Sequence, residues 1–490
     1  MEWNRETARH LLFRAGFGAR PAEINAAVAK GLPGTVADLL GGPTRPLPAP
    51  TWLADAMAVK PRDLKEMDPD QRQSMRRESR QRLGELAAGW LEFMISAPTP
   101  ADMLHEKMSF FWHGHFATSS RKVKAGPLIY RQIKLFHDHA LGNYGGLLKA
   151  IIRDPAMLRY LDNIRNRKGN PNENLARELM ELFSLGPGNY SEQDIKEGAR
   201  ALTGYSVIPY QFRFKRFQHD NGVKTILGQT GVFDGEDFVR IILDQPACAE
   251  FMTRKLWSHF AGSHLPPNVV DELASTFRRS DYDIRSLLTA MFRHPAFYSP
   301  AVTAGMIKSP VQLVVGTART LDLDVAAPIF YLRMLMMMGE LPYQPPNVKG
   351  WPAGRAWIDT SRLVTRYTFV EIVSKGQIPA EIDPRMESAD RVTGPERRKR
   401  QRQARRAMRR MMGPLSLAIS FDPQKLVNDN GAPGAIVDQL AAALLVVPPT
   451  PGERSAIVRE LEAAIRTGSR HNALRQAIGS IMLLPQYQLH

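Results

Sequence analysis

Residues 83–116 read LGELAAGWLEFMISAPTPADMLHEKMSFFWHGHF, and their spacing decides the fold class. Apolar side chains recur every three or four positions on both sides of Pro98 and Pro100, the pattern of two helices meeting at a proline turn. The pattern repeats outward. Toward the N-terminus, residues 6–14 read as a helix stopped at Gly16 and Gly18, and Pro21 opens another, ended by Gly31 and Pro33. Residues 43–52 form a proline-rich connector, and residues 62–82 are charged and helix-prone, read as a solvated helix without chemistry.

Toward the C-terminus, helices are expected over 129–139, 144–152 and 157–161. Another is expected over 171–185, with Asn170 as N-cap, Pro171 in the first position and Glu173 completing a capping box. Three helices end alike, in AIIRDPAML (150–158), TAMFRHPAFY (289–298) and GSIMLLPQYQ (479–488), a weak internal similarity. The only β-structure expected is a small excursion near 207–230. There Phe212, Phe214 and Val223, Thr225, Leu227 alternate on either side of Asp220-Asn221-Gly222, a hairpin signal. The expectation is a mainly α, multi-helical single large domain. Residues 1–383 form its body, 384–414 a basic, mobile insertion, and 415–490 C-terminal helices packed on that body.

Composition narrows the class. The chain has 490 residues, 43% hydrophobic and 23% charged, enough to bury a core and typical of soluble globular proteins. The formal charge is +16, but residues 397–410 (RRKRQRQARRAMRR) hold nine cations and no acid. Without that run the charge is +7, so nucleic acid is not an expected partner. The lone Cys248 excludes an internal disulfide. No signal peptide and no apolar run of about twenty residues is visible, so no membrane span is expected. The address is cytoplasmic, or periplasmic if a leader has been removed.

Two segments carry candidate chemistry. In the first, Trp112 is followed by His113-Gly114-His115. On an unbroken helix these histidines point roughly 200° apart, and they converge only if Gly114 opens the backbone. In the second, Glu173, Arg177 and Glu181 share one face, with Glu178 beside them and Leu175, Leu179, Leu182 and Phe183 opposite. Capping accounts for Glu173. Glu178 and Glu181 have semi-buried surroundings, and two neighbouring carboxylates in a partly dry site separate into an acid and a base. The bland alternative is a salt-bridge network with Arg177 and Arg200. Loops supply Asp162-Asn163, the 219–222 tip, and Asn347-Val348-Lys349-Gly350-Trp351, whose amide, amine and indole groups suit a sugar. No phosphate-binding loop, His-Glu-x-x-His helix, Gly-x-Ser-x-Gly elbow, Cys-x-x-Cys pair or Glu-x-x-His repeat is present.

The segments EKMSFFWHGHFATS, MLRYLDNIRNRKGNPNENLARELMELFSLG, YSEQDIKEGARALTGY, HDNGVKTILG and PPNVKGWPAGRAWI resemble, in order, the bacterial domain-of-unknown-function family numbered 1800. The likeness runs from about Arg9 to Leu363, with a familiar helical tail up to Tyr487. It implies a large, mainly helical bacterial protein, often encoded beside a sulfatase-like or phosphatase-like partner, and implies no reaction. Many relatives look exported.

The leading expectation is therefore a hydrolase of a polar polymer, of the glycan class. Glu178 and Glu181 are its catalytic carboxylates, and Trp112, His113, His115, Asp162, Asn174, Arg177, Lys349 and Trp351 bind polysaccharide or oligosaccharide. No cofactor is expected. One alternative makes His113, His115, Glu178 and Glu181 a divalent metal site, and another makes the chain a non-enzymatic scaffold or maturation partner of a sulfatase-like protein.

Overall fold

Two helices buried on nearly every side organise the molecule: Pro100–His115 and Pro310–Thr320. The computed structural model of the chain describes residues 1–59, 61–303, 305–325, 328–378, 419–427 and 431–490. Thr99 caps the first helix, its hydroxyl accepting from the Asp102 N–H at 3.1 Å. The helix runs unbroken through Gly114 to His115, between Arg5–Ala15, Pro21–Gly41 and Gly126–Asp138. Its buried side chains include Asp102, Glu106, Lys107 and Ser109, which an interior tolerates only with partners. Lys107 Nζ donates to the Gly16 carbonyl (2.8 Å) and to Gln312 of the second buried helix (3.1 Å). Glu106 accepts from Trp90 Nε1 at 2.8 Å, with the His137 ring 3.1 Å away. Ser109 donates to the His105 carbonyl at 2.8 Å.

The proline turn is as expected, but the helix before it is longer. Pro69–Ile95 is one 27-residue helix that joins the charged stretch to the apolar run, capped by Asp68 and Gln71. Its second half buries Ala87, Trp90, Leu91 and Met94. Pro21–Gly41 likewise continues past the expected stop, kinked at Gly31.

The β excursion lies where expected, with a different pairing. Phe212–Phe214 turns back onto Tyr205–Val207, and Lys224–Ile226 pairs with Gln229–Gly231. Residues 220–222 are therefore no hairpin tip. Arg200 Nε holds the Asp220 carboxylate at 2.9 Å, and Asp220 accepts from the Gly222 N–H at 2.8 Å, so a tertiary ion pair overrides the local turn signal.

The helices that lead into two of the three similar ends meet at their starts. The Tyr144 N–H donates to the Tyr282 carbonyl and the Ile284 N–H to the Gly142 carbonyl, each at 3.0 Å. Asn143 and Asp283, which pair across this bridge, each cap a helix: Tyr144–Ile151 and Ile284–Arg293. The helices Pro433–Leu444, Pro451–Thr467 and Arg470–Met482 pack on one another. Beyond them Lys308 Nζ donates to the Tyr487 carbonyl at 2.7 Å and Arg366 to Gln488 at 3.0 Å. The expected insertion at 384–414 lies outside the described residues. Among those described, no helix is long and apolar enough to cross a membrane.

Candidate active site

The glutamate helix begins at Asn174, not Pro171, and changes character midway: Asn174–Glu178 is α-helical and Leu179–Ser184 is a π-helix. The start is late because Asn166 and Asn172 take over the preceding backbone. Asn166 Oδ1 accepts from the Asn172 N–H (2.9 Å) and Asn172 Oδ1 from the Asn174 N–H (3.2 Å). Glu173 is accordingly no capping-box residue, and its carboxylate faces Arg177 at 3.3 Å. The wide turn closes where the Leu185 N–H donates to the Met180 carbonyl, five residues back, at 2.8 Å. Single π turns re-aim side chains and recur at functional sites.

Leu175, Leu179, Met180 and Phe183 are buried, while Glu178 and Glu181 are half-buried. The arginines that could have neutralised them are engaged elsewhere. Arg177 makes a two-pronged contact with Glu192 (2.7 Å each), and Arg200 binds Glu197 (2.6 Å) and Asp220. Neither Glu178 nor Glu181 forms an ion pair among the described residues. Burial, reinforced by the charge of Glu181, pushes the Glu178 carboxyl above its ordinary range, with Arg177 and Lys349 opposing. The Tyr190 hydroxyl donates to Glu181 at 3.0 Å. Partial burial and that carboxylate push the phenol up to about 12, so it stays a donor.

Lys349 reaches this neighbourhood because its loop, residues 341–358, docks on the end of the Pro100–His115 helix. Gly350 has φ +82, and a Cβ there would stand 2.3 Å from the Gly114 carbonyl oxygen, so only glycine permits the approach. Trp351 stacks on Phe110 (centroids 5.4 Å apart, planes at 14°) and meets His113 edge-on. His113 Nε2 accepts from the Tyr343 N–H at 2.9 Å, which places the ring proton on Nδ1. Tyr343 has φ +66, an uncommon conformation for an aromatic residue.

The neighbouring histidine works the other way. His115 Nε2 donates at 3.0 Å to the carbonyl of Phe183, an end-of-helix acceptor that also receives the Tyr144 hydroxyl. Burial lowers both imidazoles to about 3, so both are neutral. His113 pins the loop and His115 pins the π turn. This corrects the expectation that the two histidines contact substrate or pair on a metal, since the helix does not open at Gly114 and they point to opposite partners. Trp112 is corrected likewise: it is fully buried, with Nε1 donating to the Ala140 carbonyl at 3.1 Å. Among the described residues no three His, Cys, Asp or Glu side chains are placed to hold a metal.

Asp162 stands at φ +56, and its carboxylate binds Lys122 Nζ at 2.7 Å. Lys122 also donates to the Tyr160 carbonyl at 2.6 Å. Burial and the charge of Glu178 raise the Tyr160 phenol, which brings Tyr160 into the carboxylates' neighbourhood. Asn174 is exposed where the helix starts. Of the expected site residues, the structure thus gathers Glu178, Glu181, Arg177 and Lys349, with Asp162 attached through Lys122. Tyr160, Tyr190 and Lys122 were not anticipated. The clustered Arg121-Lys122-x-Lys124 was a usable signal for the last, whereas nothing local marks the tyrosines.

Lys122 also lines a cleft of about 1340 Å³, as do Arg76, Arg80, Arg82, Arg121 and Lys124. Three of these lie in the stretch 62–82, so the helix read as merely solvated forms a wall of the cleft.

A family model described as a protein of unknown function, DUF1800, matches residues 10–489. No curated protein matches the chain. No solved structure matches it either.

Proposed function

The chain belongs to the DUF1800 family of proteins of unknown function, and we propose that it is a hydrolase of a polar polymer of the glycan class. The observation that supports this is the pair Glu178 and Glu181: half-buried, free of ion pairs among the described residues, and unlike in environment. Glu178, with its carboxyl pushed up, is the general acid that protonates the leaving glycosidic oxygen. Glu181, held by the Tyr190 hydroxyl, is the charged partner that takes a proton from water or attacks the sugar carbon directly. Lys349 and Arg177 add positive charge beside Glu178, and Asn174 and Asp162 supply polar contacts at the rim. Trp351 keeps the Lys349 loop seated on Phe110.

Release of reducing ends from a panel of soluble polysaccharides tests the reading. Glu181→Gln should lose turnover by about 10²- to 10⁴-fold with an unchanged melting temperature. Undiminished turnover in that variant, or no release from the panel by the wild type, sinks the proposal.

A further inference from the structure

We propose that the cleft beside the carboxylate pair is a binding groove for an anionic glycan, one carrying carboxylate or sulfate groups along its chain. This names the substrate class of the hydrolase reading and rests on it for the word glycan. The anion preference rests on the cleft alone.

Beside Arg159 and Arg333, six cations of its lining converge from two separate places in the chain. Arg76, Arg80 and Arg82 come from the Pro69–Ile95 helix, and Arg121, Lys122 and Lys124 from the segment after the His115 helix end. The two places are joined where the Ser79 hydroxyl donates to the Lys124 carbonyl. Among the described residues only Asp55 and Glu78 contribute acids to the lining, and Glu78 is already paired with Arg82 at 2.5 Å. Arg121 donates to Gln344 and Lys122 is held by Asp162. The side chains of Arg76 and Lys124, by contrast, are exposed and have no partner among the described residues. Arg76 and Arg80 are four apart, so they present positive charge along one helix face. A cleft of this volume exceeds the usual small-ligand pocket and suits several linked units.

A polyanion of sugars fits better than one of nucleotides. Single-stranded nucleic acid is held by open aromatic platforms. Here Tyr343 is buried and stacked on Trp90 (5.6 Å, planes at 8°), and Tyr210 has the Arg159 guanidinium against its ring. The glutamates lie near the cleft but outside its lining: Lys122 in its wall holds the Tyr160 carbonyl, and Tyr160 feels the charge of Glu178.

The test is equilibrium binding of the full chain to labelled polygalacturonate, dextran sulfate, neutral dextran and oligo(dT). The measurements use the Glu178→Gln background, so that turnover does not enter. Polygalacturonate or dextran sulfate should bind at least tenfold tighter than dextran and oligo(dT), and which of the two leads identifies the anionic group. Arg76→Glu with Lys124→Glu should weaken that binding by about tenfold or more, and the milder Arg76→Gln with Lys124→Gln by less. Replacing the nine cations of 397–410 with glutamine should leave the preference in place. Equal binding to dextran, tighter binding to oligo(dT), or loss with the 397–410 variant while the Arg76/Lys124 variant still binds would each overturn the proposal. If the groove binds as described and Glu181→Gln still turns over substrate, the hydrolase assignment fails and the groove stands.

Discussion

Two pairs of glutamates lie close together in this molecule and meet opposite fates. Glu173 and Glu192 converge on Arg177, which satisfies both from the surface. Glu178 and Glu181, on the same short helix, receive no such partner. One takes a tyrosine hydroxyl, and the other is left half-buried with its carboxyl pushed up. The arginine that sequence spacing offers to Glu173, Glu178 and Glu181 pairs with Glu173 and with the distant Glu192 instead of the inner pair. A charge that is balanced tells about stability, and one left unbalanced beside a like charge tells about chemistry.

The contrast can be broken by experiment, starting with the largest effect. Glu178→Gln should lower turnover by about 10²- to 10⁴-fold, whereas Glu173→Gln should leave it within twofold; similar losses from both would erase the distinction. Next is the loop that brings Lys349 to Glu178. Gly350→Ala sets a Cβ against the Gly114 carbonyl at an unfavourable φ and should destabilise by about 3 kcal/mol, read by chemical denaturation, with turnover falling too. Gly114→Ala meets only the Trp351 ring at ordinary contact distance, 3.7 Å, and should be neutral or slightly stabilising.

A subtler difference is in pH. The folded Glu178 holds its proton more tightly than the unfolded chain does, so the folded state binds more protons between the two pKa values. Stability should therefore fall as pH rises from the ordinary carboxylate range through the raised one. Thermal melts of wild type and Glu178→Gln should diverge over that window, with the variant more stable above it. Parallel curves would show that Glu178 is not perturbed. The smallest effect is on the outer pair, where Glu173→Gln should shift the melting temperature by less than a degree, since exposed ion pairs contribute little.

How much of this was legible in the sequence depended on how local the cause was. The proline turn at Pro98 and Pro100 and the mainly helical class rest on neighbouring residues, and they were readable. The divergence of His113 and His115 was readable too, as a condition on Gly114. What each histidine holds was not, because Tyr343 and Phe183 come from distant segments. The start at Asn174 was missed because Asn166 captures residues several positions on. The π turn depends on what packs against Leu179 to Ser184. Asp220-Asn221-Gly222 carried a sound hairpin signal that Arg200 overrode. The cleft was missed because residues 62–82 were judged by composition, when their role follows from Lys122 and Lys124 arriving opposite them.

The bridge at Asn143 and Asp283 has a consequence of another kind. Each residue caps its own helix, and the backbone beside each donates to the carbonyl that precedes the other. An exchange of this form is what a two-fold dimer makes between subunits, with the same groups presented by both sides. Here both sides belong to one chain, so substituting Asn143 and substituting Asp283 injure one interface, the first more deeply because Asn143 Nδ2 also donates to the Asp281 carbonyl. The second should meet an interface the first has already loosened.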